Sequence, residues 1–167
     1  MRRAMMFCVI MGMLGLLTGC KGDIRRDVSL SMNPADYNGS VPPTRVHVVG
    51  VQQVELEKYK SYPVDQWFKA DDMLRQGSKE RVMELMFGGT QPNTQTIPKD
   101  EAMWKIWKER ECLYLVVFVN LPASAQQAGS VNDPRKLDIP LKRVKSPVEL
   151  RVLRSGIQFA VPPKPED

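Results

Sequence analysis

Cys112-Leu113-Tyr114-Leu115-Val116-Val117-Phe118-Val119, continuing into Asn120-Leu121-Pro122, is the stretch that decides the fold. From Leu113 to Leu121 it is nearly continuous apolar and rich in β-branched and aromatic residues, which favours a strand. A strand with one wet face alternates in polarity. This one does not, so it is predicted to be central and covered on both faces.

Other strands are legible on either side of it. Val148-Glu149-Leu150-Arg151-Val152 and Ile157-Gln158-Phe159-Ala160-Val161 both alternate, with Ser155-Gly156 between them, and read as a hairpin. Val28 to Met32 alternates, Arg45 to Val51 is rich in β-branched residues, and Leu137 to Leu141 makes a short strand. Asn33 to Thr44, between the first two strands, collects Asn33-Pro34, Asn38-Gly39 and Pro42-Pro43. Such residues make a loop, and long loops in compact domains often carry function.

From Val64 the period changes. Asp65 to Arg75 reads as helical, with Trp67, Phe68, Met73 and Leu74 as its apolar positions. Ser78 offers a cap for a further helical turn through Val82, Leu85 and Met86 to a stop at Gly88-Gly89, although Val82 to Phe87 also fits a strand. Gln91 to Pro98 reads as a loop. Pro98 then opens a helix that runs to about Arg110 and carries Met103, Trp104, Ile106 and Trp107. Six or so strands with mainly antiparallel spacing predict a mainly β protein, a β-sandwich spanning residues 28–161, with helices inserted around 65–110 and packed on its edge or end. Pro122 to Asn132 is small and polar, and residues 162–167 form an exposed proline-rich tail.

The N-terminus sets the compartment. Met1-Arg2-Arg3 precedes an apolar run, Ala4 to Leu17, which ends in Leu17-Thr18-Gly19-Cys20. A basic head, a short apolar segment and small residues describe an export signal, and 14 apolar residues fall short of the roughly 20 that a spanning helix needs. Leu-Thr-Gly-Cys resembles the lipobox of bacterial lipoproteins. That resemblance implies a signal peptide over 1–19, acylation at Cys20, and a lipidated tether over 20–27. Lys21, in place of the aspartate that often retains such proteins in the inner membrane, favours the outer one.

Removal of residues 1–19 takes Arg2 and Arg3 and lowers the net charge from +5 to +3, with both signs interspersed. No basic block remains to suggest nucleic acid. Of the three cysteines only Cys112 is left, so no internal disulfide forms, and its apolar setting predicts a buried, inert thiol.

Catalytic signals are sparse. The single histidine, His47, lies on a strand with Arg45 on the same face and is expected to face solvent. There is no nucleophile elbow and no phosphate-cradling glycine loop. Asp71-Asp72 and Asp100-Glu101 are adjacent carboxylates that diverge by about 100° on a helix, so helix starts explain them better than a metal site does. Trp67, Trp104 and Trp107 suit core packing, or else a ligand groove. The sequence thus predicts no enzyme, no metal and no cofactor. What it offers is a loop on a rigid scaffold, where binding usually resides.

Three cues in order resemble the outer-membrane lipoprotein of type VI secretion systems, the TssJ or VasD family: Asn33-Pro34, Asp36, Asn38-Gly39 and Pro42 before a Val-rich strand ending near Val51-Gln52; Tyr114 to Pro122; and Asp133-Pro134-Arg135 before Leu137-Asp138-Ile139 and the closing hairpin. The resemblance implies a transthyretin-like β-sandwich with added helices, held through Cys20 to the periplasmic face of the outer membrane. It implies a structural role, docking an inner-membrane TssM or IcmF-like partner. Carried onto this sequence, the partner loop is Asn33 to Pro43, with Asn33, Pro34, Asp36, Tyr37, Asn38, Gly39, Pro42 and Pro43 as the binding residues. The alternative is a lipid-anchored periplasmic solute- or glycan-binding module, with Trp104 and Trp107 lining its pocket.

Overall fold

Eight strands form two four-stranded sheets among residues 23–122 and 132–162, the part of the chain that the computed structural model describes. The first sheet contains β1 (Val28–Ser31), β4 (Thr94–Ile97), β7 (Val148–Leu153) and β8 (Gly156–Phe159) in the order β4-β1-β7-β8. The second contains β2 (Thr44–Val51), β3 (Val82–Phe87), β5 (Tyr114–Val119) and β6 (Lys136–Pro140) in the order β3-β2-β5-β6. Pairings are antiparallel except β1 with β7, where Val28 lies opposite Val148. The protein is a mainly β sandwich, as the strand pattern predicts. The signal segment 1–19, Cys20, most of the 122–132 loop and the tail beyond Pro162 lie outside the described residues.

The uninterrupted apolar run of β5 has a direct cause. Leu115, Val117 and Val119 point into the core between the sheets, with Val46 and Val48 of β2 and Leu30, Leu150 and Val152 of the other sheet. Val116 and Phe118 point the other way, into a second core with Val49, Val51, Leu56, Tyr59, Val64 and Trp67. The roof of this second core is built by three short helices, α1 (Leu56–Ser61), α2 (Val64–Trp67) and α3 (Met73–Gly77). Asp72 starts α3 by accepting a hydrogen bond from Arg75 N at 2.7 Å, so this carboxylate is a helix cap, as its position suggests. A fourth helix, α4 (Met103–Glu109), brings Trp104 and Trp107 into the inter-sheet core.

The middle of the chain departs from a purely helical insertion. Val82–Phe87 is a strand, paired over six residues with β2 from Thr44↔Phe87 to Val49↔Val82. Met, Glu and Leu favour helix locally, but the open edge of β2 supplies ladder partners that override so weak a preference. Ser78 does not cap the turn ahead of it. Its hydroxyl donates back to Leu74 O at 2.6 Å. Gln91 to Pro98 is not all loop either, because Thr94–Ile97 pairs antiparallel with β1. Only Ile97 of that strand is buried, which leaves little pattern to read. Residues 23–27, expected from the sequence to be part of a tether, contact the domain. Arg26 donates to Val144 O and Leu141 O at 2.9 and 3.0 Å, and Asp27 accepts from Lys99 N at 2.9 Å, so residues from Asp23 on belong to the domain.

Gly50 shows how closely α4 meets the sheet. A Cβ at this position would lie 2.2 Å from Trp107 Cδ1. Trp107 is fully buried and donates to Arg81 O at 2.8 Å, so it has no room to retreat. Gly50→Ala is expected to lower stability by about 1–3 kcal/mol, the usual range for overpacking, read from a urea midpoint. A wild-type midpoint would show that α4 yields.

Candidate functional site

β1 carries the chain away from Asp23 along the sandwich, and the segment 33–43 turns it back into β2. Asn33 begins the turn, its side-chain carbonyl accepting from Ala35 N at 3.0 Å. Pro34–Tyr37 forms a single 3-10 turn. Asn38 leaves it at φ 58° and Gly39 follows at 91°, both in the left-handed region that asparagine and glycine tolerate. Gly39 N then donates to Pro34 O at 2.8 Å.

Of the eight residues expected to bind a partner, seven are exposed or half-exposed. Tyr37 is not. Its ring is buried in the inter-sheet core and its hydroxyl donates to Val152 O at 2.9 Å. Burial pushes the phenol up to about 12, so it stays a donor. Tyr37 therefore fixes the loop rather than presenting itself. Val41 is buried beside it, and the Pro42 carbonyl lies where a Cβ on Gly88 would be, 2.4 Å away. The loop is thus pinned at both ends of its crest. Tyr37→Phe is expected to cost about 1 kcal/mol and to raise hydrogen exchange in 33–40 with the rest of the domain unchanged, as loss of one buried hydrogen bond should.

A cleft of about 370 Å³ lies between this loop and the hairpin, lined by Ser31, Asn33, Asp36, Arg151, Leu153 and Gln158. Arg151, Leu153 and Gln158 are not predicted from sequence. Hairpin alternation puts Arg151 and Gln158 on the outer face, but only the parallel pairing Ser31↔Arg151 brings them to the loop. The cleft is polar and offers both charges, Asp36 on one wall and Arg151 on the other, which suits a protein surface.

The remaining candidates sit elsewhere. Cys112 is buried, and burial raises its thiol above the ordinary value, as an inert cysteine requires. His47 is not on the surface. It is fully buried, because α2 lays Trp67 over its face of the sheet. Trp67 stacks on Phe118, the cross-strand neighbour of His47, at 4.4 Å and 10°. Trp67 Nε1 donates to His47 Nδ1 at 3.1 Å. Trp104 and Trp107 are buried, edge to face at 4.7 Å, with their indole nitrogens bonded to Pro98 O and Arg81 O. Packing explains them, although an edge of Trp104, itself only 1% exposed, is among the residues lining a groove of about 320 Å³ with Arg25, Lys99 and Lys105. Among the described residues no group of three or more His, Cys, Asp or Glu is placed to hold a metal ion. No helix among them is long and apolar enough to cross a membrane.

No protein-family model matches the chain. No curated protein sequence matches it either. Among solved structures, the chain is similar to Serratia marcescens Lip, a membrane-bound component of the type VI secretion system, at 9% identity and a TM-score of 0.48, over 82% of this chain and 97% of that one.

Proposed function

We propose that this chain is a lipid-anchored structural component of a type VI secretion membrane complex, tying an IcmF-like inner-membrane partner to the outer membrane. The observation that carries the reading is the polarity of the sandwich. Asp23, three residues past the lipobox cysteine, lies at one end, and β1 delivers Asn33–Pro43 to the other. β2 spans eight residues between these ends, about 25 Å at strand rise. An acyl anchor at Cys20 would hold one end at the bilayer and leave the pinned loop facing the periplasm. Two or more acyl chains suffice for stable anchoring where one does not.

Pre-organisation suits the loop to docking. Asn33, Pro34, Asn38 and Gly39 hold fixed backbone geometry, so little entropy is lost when a partner seats. Asp36, Pro42 and Pro43 supply exposed contacts, and Arg151 extends the surface across the cleft.

The test uses two kinds of variant. Cys20→Ala is expected to abolish secretion and release the protein from membranes with thermal unfolding unchanged. Asp36→Arg combined with Pro43→Arg is expected to weaken capture of the IcmF-like periplasmic domain at least tenfold, again with unchanged unfolding. Capture at wild-type strength by that double variant would remove the loop from the interface.

A further inference from the structure

The end of the sandwich opposite the loop holds a largely apolar groove of about 330 Å³. Its walls include Ile24, Val54, Cys112 and Leu113, and Lys108 and Lys142 stand in its lining. Topology gathers these residues: β2 ends at Val51 just before Gln52–Val54, Leu113 N bonds Val51 O at 3.0 Å, and Leu141 N bonds Leu113 O at 3.0 Å. Val54 is 88% exposed, although valine is a strong hydrophobe. Next to the groove, Lys142, Arg143 and Lys145 are exposed on a loop without an acid. Glu111 is the acid in the wall.

The geometry points to this groove as a membrane-contact surface that takes up anionic phospholipid headgroups, with Val54 and Ile24 against the upper acyl carbons and Lys108 and Lys142 against the phosphates. The assignment rests on the lipid-anchor reading. Its force comes from reach. Arg26 fastens the chain to the carbonyls of Leu141 and Val144, and Asp23 O accepts from Arg26 Nη1 at 2.7 Å, so the domain begins at Asp23. Only three peptide steps separate Asp23 from Cys20, at most about 11 Å fully extended. A cysteine whose acyl chains lie in the bilayer therefore holds this end of the domain against the headgroup layer. Ile24, one residue further on, already lies in the groove wall. An apolar patch rimmed by cations at that depth matches the interface, where apolar side chains enter the acyl boundary and basic ones meet anionic lipid.

The test uses the acylated mature protein, residues 20–167, from host membranes, carrying Val54→Cys with an environment-sensitive fluorophore. Cys112 is buried and the Cys20 sulfur carries lipid, so position 54 alone takes the label. In vesicles of phosphatidylethanolamine and phosphatidylglycerol, we expect blue-shifted emission and severalfold protection from a neutral soluble quencher. Lys108→Glu with Lys142→Glu, or vesicles of phosphatidylcholine alone, should remove most of that protection. A label at Asn38→Cys should stay in water throughout. Acylated protein whose position-54 label is as accessible as that at 38 would overturn the groove's assignment and leave the anchor standing. Protection that ignores lipid charge and both lysines, or that needs another envelope protein, overturns it too. Protein that mass spectrometry finds without acyl groups overturns the anchor and the groove together.

Discussion

Arg135→Ala is expected to be among the most damaging single changes in the domain, lowering unfolding free energy by about 3–5 kcal/mol, the range for stripping one partner from a buried ion pair. The Arg135 side chain is 3% exposed and the Asp133 carboxylate is 0% exposed. Arg135 Nε and Nη2 donate to the two Asp133 oxygens at 3.0 and 2.7 Å, and Nη1 donates to Leu121 O at 3.0 Å. Alanine would strip the guanidinium from a buried carboxylate, leaving it the backbone N–H of residue 135 at 3.0 Å but no counter-charge, and would remove the donor to Leu121 O. Arg135 also reaches Asp65 at 2.6 Å, joining α2 to the start of β6, but Asp65 is 56% exposed and water can replace the guanidinium. Asp65→Asn should therefore cost less than about 1 kcal/mol. Asp133→Leu combined with Arg135→Met should recover most of the loss, because an apolar pair carries no desolvation penalty. Urea unfolding of the four proteins decides the matter. An Arg135→Ala protein within 1 kcal/mol of wild type would mean that water reaches the Asp133 carboxylate.

The same cluster shows what the sequence could convey. Asp133-Pro134-Arg135 stands out as a cue, yet nothing in its order says that the two charges face each other inside the fold. β5 and the β7–β8 hairpin are legible because their polarity patterns depend on burial that each strand carries in its own residues. β4 is not, and β3 is legible only as the alternative to a helical turn, because each becomes a strand only when an edge is offered to it, β2 for β3 and β1 for β4. Asn33–Pro43 is legible as a loop, since proline, asparagine and glycine act locally. The inward turn of Tyr37 is not local, although a lone aromatic in an otherwise polar loop hints at an anchor. His47 fails for a related reason. Strand alternation correctly puts it on the face of Arg45, but whether that face is wet depends on where α1–α3 pack, and no local pattern states this.

The burial of His47 makes stability depend on pH in a window of its own. Desolvation, opposed by Glu84 and reinforced by Arg75 and Arg45, lowers its pKa from 6.5 to about 4. The neutral ring accepts from Trp67 Nε1 at Nδ1, which assigns its proton to Nε2, 3.6 Å from the Glu84 carboxylate. The unfolded chain binds this proton near pH 6.5, and the folded one resists it until about 4. Stability is therefore full above pH 6.5, falls as pH drops through that interval, and levels off below the folded value. The total is about 3 kcal/mol, from 1.36 kcal/mol per pKa unit. The carboxylates with lowered values, Asp23, Asp27, Glu55 and Asp65, give up stability only as pH approaches and passes below their ordinary 3.8 to 4.5, so the span from 6.5 to 5 reports His47. His47→Gln keeps an acceptor for Trp67 without a titrating ring. Its urea midpoint should stay flat from pH 7 to 5 while that of the wild type falls. Parallel curves would mean that the ring takes up its proton without leaving the core, with Glu84 as the counter-ion and the roof of Trp67 and Phe68 intact.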